Sequence, residues 1–222
     1  YTADASGDSP MLDETVTVEG VVTANFNGSD YGEGYFIQDA AGAWNGLFIF
    51  DLDNTPSIGD SVRITGVVDE YYGMTELTNT EAYQVVAIGG TVPAADVVSA
   101  ADAADEQYES CLVRVEDATC TTESNQYGEW YVNDGTADLM LKDNGVFDFT
   151  EVLNAVYNVN GVMFFSYGEF SLHYRIESDI EVVESINSNF AFETEVYPNP
   201  ANANINIVNM INVERVELID VT

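Results

Sequence analysis

Side chains able to do covalent chemistry are scarce in this chain. Its single histidine, His173, follows the core position Leu172, and strand alternation turns it off the core face. A histidine-based hydrolytic site or a histidine zinc site needs partners that the chain lacks, so the sequence reads as non-catalytic. Two acidic loops, Asp51-Leu52-Asp53-Asn54 and Asn133-Asp134-Gly135, carry the oxygen ligands that calcium takes. Asp51 and Asp53 are the candidate ligands, yet neither loop has the full spacing with a terminal Glu. The expectation is no cofactor, with structural calcium the one ion worth testing. Cys111 and Cys120 flank an alternating strand, Leu112-Val113-Arg114-Val115. Nine extended residues would hold them about 30 Å apart, beyond disulfide reach unless the chain reverses near Glu116-Asp117-Ala118.

Side chains able to make contacts are plentiful. Tyr71, Tyr72, Phe164, Phe165 and Tyr167 could stack on bases or on sugar rings, or they could fill barrel cores and a domain interface. Charge weighs on that choice. Five Lys and Arg stand against 39 Asp and Glu, a formal net charge of −34. Such an excess repels polyanions, and phosphate contacts dominate nucleic-acid affinity. The expectation therefore sets nucleic acid aside and keeps glycans as a ligand class. No run of about 18 apolar residues is present, so no membrane-spanning helix is expected. The chain does not begin with Met and reads as a processed or partial chain.

The elements that must position these residues are stated twice. Asp39 and Asp134, Gly66 and Gly161, Gly73 and Gly168, and Leu77 and Leu172 each stand 95 positions apart. This is an internal duplication of a β-unit. In the first copy, residues 15–24 alternate and are rich in β-branched types, which predicts a long first strand with a bulge or sharp coil at Gly20. Residues 35–39, 46–50 and 60–70 follow as strands, and residues 74–77 and 83–88 as a broken last strand. The second copy runs through 110–122, 127–133, 137–141, 155–165, 169–175 and 180–183, with a turn signal at Asn133-Asp134-Gly135. The fold class expected is all-β: two tandem OB-like five-stranded Greek-key barrels, one short linking helix and a partial β-sandwich segment. A two-sheet sandwich is the competing architecture. The helix is predicted at 99–106, two to three turns long and packed where the barrels meet, because Ser99 can cap it and acids stand in its first turn. The domain plan is an extended arm at 1–10, a barrel at 11–92, a linker with the helix at 93–108, a barrel at 109–184, a linker at 185–194 and a terminal segment at 195–222.

Two resemblances add to this reading. Val16-Thr17-Val18-Glu19-Gly20-Val21-Val22-Thr23-Ala24, Gly34-Tyr35-Phe36-Ile37-Gln38-Asp39 and Gly59-Asp60-Ser61-Val62-Arg63-Ile64-Thr65-Gly66 resemble the tandem OB-fold modules of secreted bacterial, nuclease-associated proteins. Val196-Tyr197-Pro198-Asn199-Pro200-Ala201, with Ile205-Asn206-Ile207 and Val216-Glu217-Leu218-Ile219-Asp220-Val221, resembles the type A C-terminal sorting domain of type IX secretion substrates. That resemblance implies export to the cell surface or medium, although the segment stops short of such a domain's later strands. Ile205, Ile207, Val213, Val216 and Leu218 alternate as strand residues too few to close a sandwich, and open strand edges template pairing with another chain. The functional expectation is a secreted structural protein, a surface or extracellular fibre subunit assembling with copies of itself. The alternative is a carbohydrate- or nucleic-acid-binding accessory module.

Overall fold

The first strand sets the curvature of the first barrel. β1 (Thr15–Asn25) pairs antiparallel with β4 (Ser61–Tyr71) from Thr15 to Val21 and with β2 (Tyr35–Gln38) from Val21 onward. The switch of neighbour falls beside Gly20, where a Cβ would lie 3.1 Å from the Gln38 carbonyl oxygen. A side chain there would crowd the β2 backbone, so glycine suits the close approach. The bulge itself lies further on, between Val22 and Ala24. With β3 (Gly46–Ile49) and β5 (Met74–Ala87), these strands close a barrel in the order β1-β2-β3-β5-β4. The computed structural model describes residues 7–28, 34–142, 144, 145, 147, 149–183, 196, 197, 206 and 207.

The second barrel follows β6 (Asp96–Val97) and α1 (Ala100–Ala103). It comprises β7 (Leu112–Cys120), β8 (Glu129–Asn133), β9 (Asp138–Lys142), β10 (Val156–Ser166) and β11 (Glu169–His173), with β12 (Ile180–Val182) added beside β10. Its strands run β10-β11-β9-β8-β7, and a β10–β7 pairing completes the circuit. This is the strand order of the first barrel. Both barrels also have one parallel pairing, β3 with β5 and β9 with β11. The fold is therefore all-β with two OB-like five-stranded barrels.

The duplication holds at the level of register. Val67 pairs with Thr78, and 95 positions on Val162 pairs with His173. A Cβ on Gly66 would meet Thr78 O at 2.6 Å and Leu77 Cγ at 3.0 Å, and one on Gly161 would meet the equivalent His173 O at 2.6 Å and the Leu172 side chain. The spacing is not free of insertions, however. Phe36 pairs with Phe48, but its counterpart Tyr131 pairs with Met140, only 92 positions beyond Phe48. The β2–β3 loop spans 39–45, whereas the β8–β9 loop spans only 134–137. The segment before β10 restores the offset.

Two expectations of local structure are corrected. The last strand of the first barrel is not broken: β5 is continuous over 14 residues. The irregularity sits in β5 itself, at the place of the expected break: Thr65 pairs with Ala82 and Val67 with Thr78, so a longer stretch of β5 opposes a shorter one of β4, and Asn79 takes φ 49° within that bulge. The helix is also shorter than predicted. α1 has four residues, and a separate 3-10 turn covers Glu106–Tyr108. Ser99 does cap it, its Oγ accepting from Asp102 N at 3.1 Å. The last turn has no basic residue, and Asp105 and Glu106 follow it, where the helix dipole is negative. Nor does α1 sit where the barrels meet: Ala100 and Ala103 are fully buried in the core of the second barrel.

Three clusters make the interior. One fills the second barrel around Trp130, Tyr157 and Tyr174. A smaller one fills the first barrel around Tyr35, Ile49 and Ile64. The third, a seam between barrels, joins Phe26, Phe36, Phe48 and Met74 to Leu112 and Val162, with Phe164 and Phe165 against it. Leu112 N donates to Gln38 Oε1 at 2.7 Å and Arg175 Nη1 to Thr23 O at 2.8 Å across this seam. Residues 1–183 accordingly form one compact unit and residues 184–222 another. In the second unit β13 (Val196–Tyr197) pairs antiparallel with β14 (Asn206–Ile207). Ile207 belongs to β14; Ile205, Val213, Val216 and Leu218 lie outside the described residues. Cys111 and Cys120 are both buried and unbridged. No helix among the described residues is long and apolar enough to cross a membrane.

Candidate functional site

Two hairpin tips carry the most unusual local chemistry. The β4–β5 turn is Tyr72-Gly73, with φ of 53° and 89°, and the β10–β11 turn is Tyr167-Gly168, with φ of 53° and 83°. Two successive positive φ values are the signature of the type I′ hairpin, whose twist matches that of the strands. Glycine suits the second position. A tyrosine at the first does not, because Cβ crowds the following carbonyl in the left-handed region, and Asn, Asp or Gly normally stands there. Both copies nevertheless place a tyrosine there and expose it, Tyr72 at 80% and Tyr167 at 103%. Tyr71 is 63% exposed and meets Tyr72 edge to face at 4.8 Å.

The other two aromatic candidates have a different place. Phe164 packs against Phe36 at 6.0 Å, Phe48 at 5.6 Å and His173 at 4.9 Å in the seam between barrels. Phe165 packs on Phe170 at 4.8 Å. A Cβ on Gly73 would stand 3.0 Å from Phe165 Cε1, so the first hairpin tip rests on the second hairpin. The structure thus brings both tips to one edge, with Phe165 as the joint and the tyrosines facing outward.

The electrostatics of that edge are acidic. Asp69, Glu70 and Glu76 stand at the base of the first tip, with Asp69 paired across the strands to Glu76 and Glu70 to Thr75. Burial, and then Asp69 and Glu70, push the Glu76 carboxyl up to about 7. At the second tip Glu169 accepts from the Tyr131 hydroxyl at 3.2 Å. All four cations among the described residues are engaged: Arg63 with Glu19, Arg114 with Glu116 and Glu181, Lys142 with Glu129, and Arg175 with Asp179. Glu109, 6% exposed, accepts from Thr75 N at 3.0 Å where the linker meets β5. Desolvation, with Glu106 and Glu70 nearby, raises its carboxyl to about 8 despite that hydrogen bond.

His173 does leave the barrel core, as alternation predicts, but it does not reach solvent. It is 5% exposed in the seam, with Nδ1 2.9 Å from Asn144 Nδ2 and Nε2 2.9 Å from Ser171 Oγ. Ser171 Oγ donates to Phe164 O at 3.3 Å. With that direction the ring is the neutral Nε2–H tautomer, donating to the serine and accepting from the asparagine amide. This polarity is the reverse of a base activating a nucleophile. Burial, then Lys142, hold the ring down to about 3, so it stays neutral.

The calcium candidates are not assembled into a site. The Asp51 carboxylate organises its own turn, Oδ1 accepting from Asp53 N at 3.0 Å and Asn54 N at 3.2 Å, and Oδ2 from Asn54 Nδ2 at 2.8 Å. Asp53 is exposed. Among the described residues no three His, Cys, Asp or Glu side chains are grouped to hold a metal ion. Sequence reasoning picked out the tyrosines but missed what distinguishes them. The signal was available: Tyr-Gly between alternating strands, repeated 95 positions apart, is a hairpin signal with the wrong first residue.

No family model matches the chain, and no curated protein matches it. Solved structures with similar coordinates include the Ifi202 HINa domain in complex with a 20-bp double-stranded DNA, at 10% identity and TM-score 0.34, covering 76% of this chain and 95% of that one. The p204 HINb domain is similar at 10% identity and TM-score 0.35, covering 79% of this chain and 100% of that one. The p202 HIN1 domain in complex with a 12-mer double-stranded DNA is similar at 11% identity and TM-score 0.35, covering 80% and 99%. At these TM-scores the likeness assigns no ligand to this chain. The expectation that set nucleic acid aside stands corrected on its own ground, since net charge alone does not exclude a ligand class; two of these similar structures hold double-stranded DNA. Nucleic acid returns as a candidate ligand class.

Proposed function

We propose that the chain is a non-catalytic binding module that holds an extended polymer by stacking on the tyrosines of its two hairpin tips. One observation carries this reading: both copies keep a solvent-exposed tyrosine at a left-handed turn position. Strained backbone persists where something other than local stability retains it. The loop between strands four and five of an OB barrel is one of the places where such folds take oligonucleotides and oligosaccharides. Neutral glycan is the ligand argued for first. Its rings stack on tyrosine without bringing phosphate charge to Asp69, Glu70, Glu76 and Glu169, and these carboxylates can accept hydrogen bonds from sugar hydroxyls. Single-stranded nucleic acid is the second reading, favoured by stacking that tolerates any base. The fibre-subunit reading draws no support from the described residues. Export of the chain to the cell surface or medium rests on the resemblance of 196–221 to a sorting segment.

The test titrates the full chain against neutral oligosaccharides on an array and against labelled single-stranded oligonucleotides at two salt concentrations. A Tyr72→Ala, Tyr167→Ala double variant should lose binding to its glycan at least tenfold while keeping its melting transition. Oligonucleotide binding that weakens steeply with salt and vanishes in the same variant would replace the glycan by nucleic acid. If no ligand of either class depends on these tyrosines, the binding-module reading fails.

A further inference from the structure

The two barrels differ at one end. In the second barrel α1 packs on β7 and β9, with Ala100 and Ala103 fully buried. Its first N–H is held by a carboxylate, Ala100 N donating to Asp134 Oδ2 at 2.9 Å. Asp39 is the counterpart of Asp134 in the first copy, and among the described residues no helix stands over it. There the wall is built by Val16 and Val18 of β1, Ile37 of β2, Leu47 of β3 and Val68 of β4, and a cavity of about 200 Å³ remains, with Asp39 among its lining residues. The Asp39 side chain is exposed and makes no hydrogen bond among the described residues. Glu19, which also lines the cavity, is already paired with Arg63 at 2.6 Å.

We infer that this open end is a binding site for a small organic amine, its apolar body in the barrel mouth and its ammonium on Asp39. Three observations fix that chemistry. The wall is aliphatic, so the body of the ligand is apolar. The carboxylate at the rim is the one whose counterpart takes N–H donors, so the head of the ligand is a cationic N–H donor. The size excludes a second α1: the longer 39–45 loop closes one side by donating Trp44 N–H to Gln107 O at 2.7 Å. What remains suits a ligand of about benzene size, since a cavity of about 150 Å³ holds benzene. Trp44 lines the same cavity, and an indole face attracts ammonium groups. A net charge of −34 raises the local concentration of any cation.

Tryptophan fluorescence provides the test, because Trp130 is buried in the second barrel at 1% exposure and Trp44 lines the cavity. Benzylamine titrated into the full chain at pH 7 and low salt should give a saturable change, with methyl shifts of Val16 and Val18 by NMR. Benzyl alcohol, of the same shape but uncharged, should bind at least tenfold more weakly. Asp39→Asn should bring benzylamine to the level of the alcohol, and Val18→Phe should abolish both while the melting transition stays. Three results would overturn the proposal: no saturable binding, equal binding of amine and alcohol, or Asp39→Asn within twofold of the unsubstituted chain. Saturation by an acetylated Ser-Ala-Ala peptide but not by the amine would overturn it in favour of a helix terminus as occupant.

Discussion

The first and second barrels share strand order and register but distribute their apolar residues differently. The second barrel gathers sixteen buried residues into one cluster, with Trp130, Tyr157 and Tyr174 among them and α1 sealing an end. The first barrel encloses eight and sends Phe26, Phe36, Phe48 and Met74 outward into the seam. A five-stranded barrel of this size is marginal without a full core. The first barrel therefore borrows its stability from the second, and the seam is part of the fold rather than a contact between finished domains.

The sharpest test separates them. Residues 93–183 expressed alone should show dispersed NMR amide signals and a cooperative melt, whereas residues 7–92 alone should not. A folded first barrel would break the comparison. Next in size are the paired glycines. Gly161→Ala should lower stability by about 3 kcal/mol and Gly66→Ala by about 2 kcal/mol, read from urea midpoints, because a methyl at either overpacks a closed strand pair. The order follows from the Leu172 side chain, which lies closer to Gly161 than Leu77 lies to Gly66.

The acidic junction gives a smaller effect with a definite sign. Glu109 and Glu76 have carboxyls raised to about 8 and about 7 in the folded chain, chiefly by burial. The folded state holds protons that the unfolded chain has lost, so their stabilising contribution is complete below about pH 4.5 and declines as pH rises through about 7 to 8. Melting temperature should fall over that window, and Glu109→Gln should flatten the fall. The smallest effect is at the hairpin tips. Tyr72→Asn or Tyr167→Asn should raise stability by up to about 1 kcal/mol, because asparagine tolerates the left-handed region better. A loss of stability there would mean that the tyrosines serve the fold and not a ligand.

Much of the fold was legible because strand alternation and turn chemistry are local. The duplication was readable from Gly66 and Gly161, where the Cβ space is taken by the same leucine and carbonyl in each copy. The seam was not readable. Phe36 and Phe48 sit on alternating strands as core residues would, and nothing local says that their face meets Phe164 instead of the inside of their own barrel. His173 shows the same limit. Alternation correctly turned it off the barrel core, but only the docking of Phe26 against it at 6.0 Å makes that outer face a buried one.

The sequence by itself determined the all-β class, the repeat, the strand starts and the acidic surface, since each depends on neighbours within a few positions or on composition. Tertiary structure alone decided where the linking segment went. Ser99 to Glu106 has the cap and the alanines of a helix in either setting, but which barrel end it seals depends on Asp134 reaching Ala100 N across 34 positions. It also decided that the other end, with the equivalent Asp39, carries no helix among the described residues. Two nearly identical local signals, Asp39 and Asp134, meet different neighbours because those neighbours come from distant parts of the chain, and only the packed chain chooses between them.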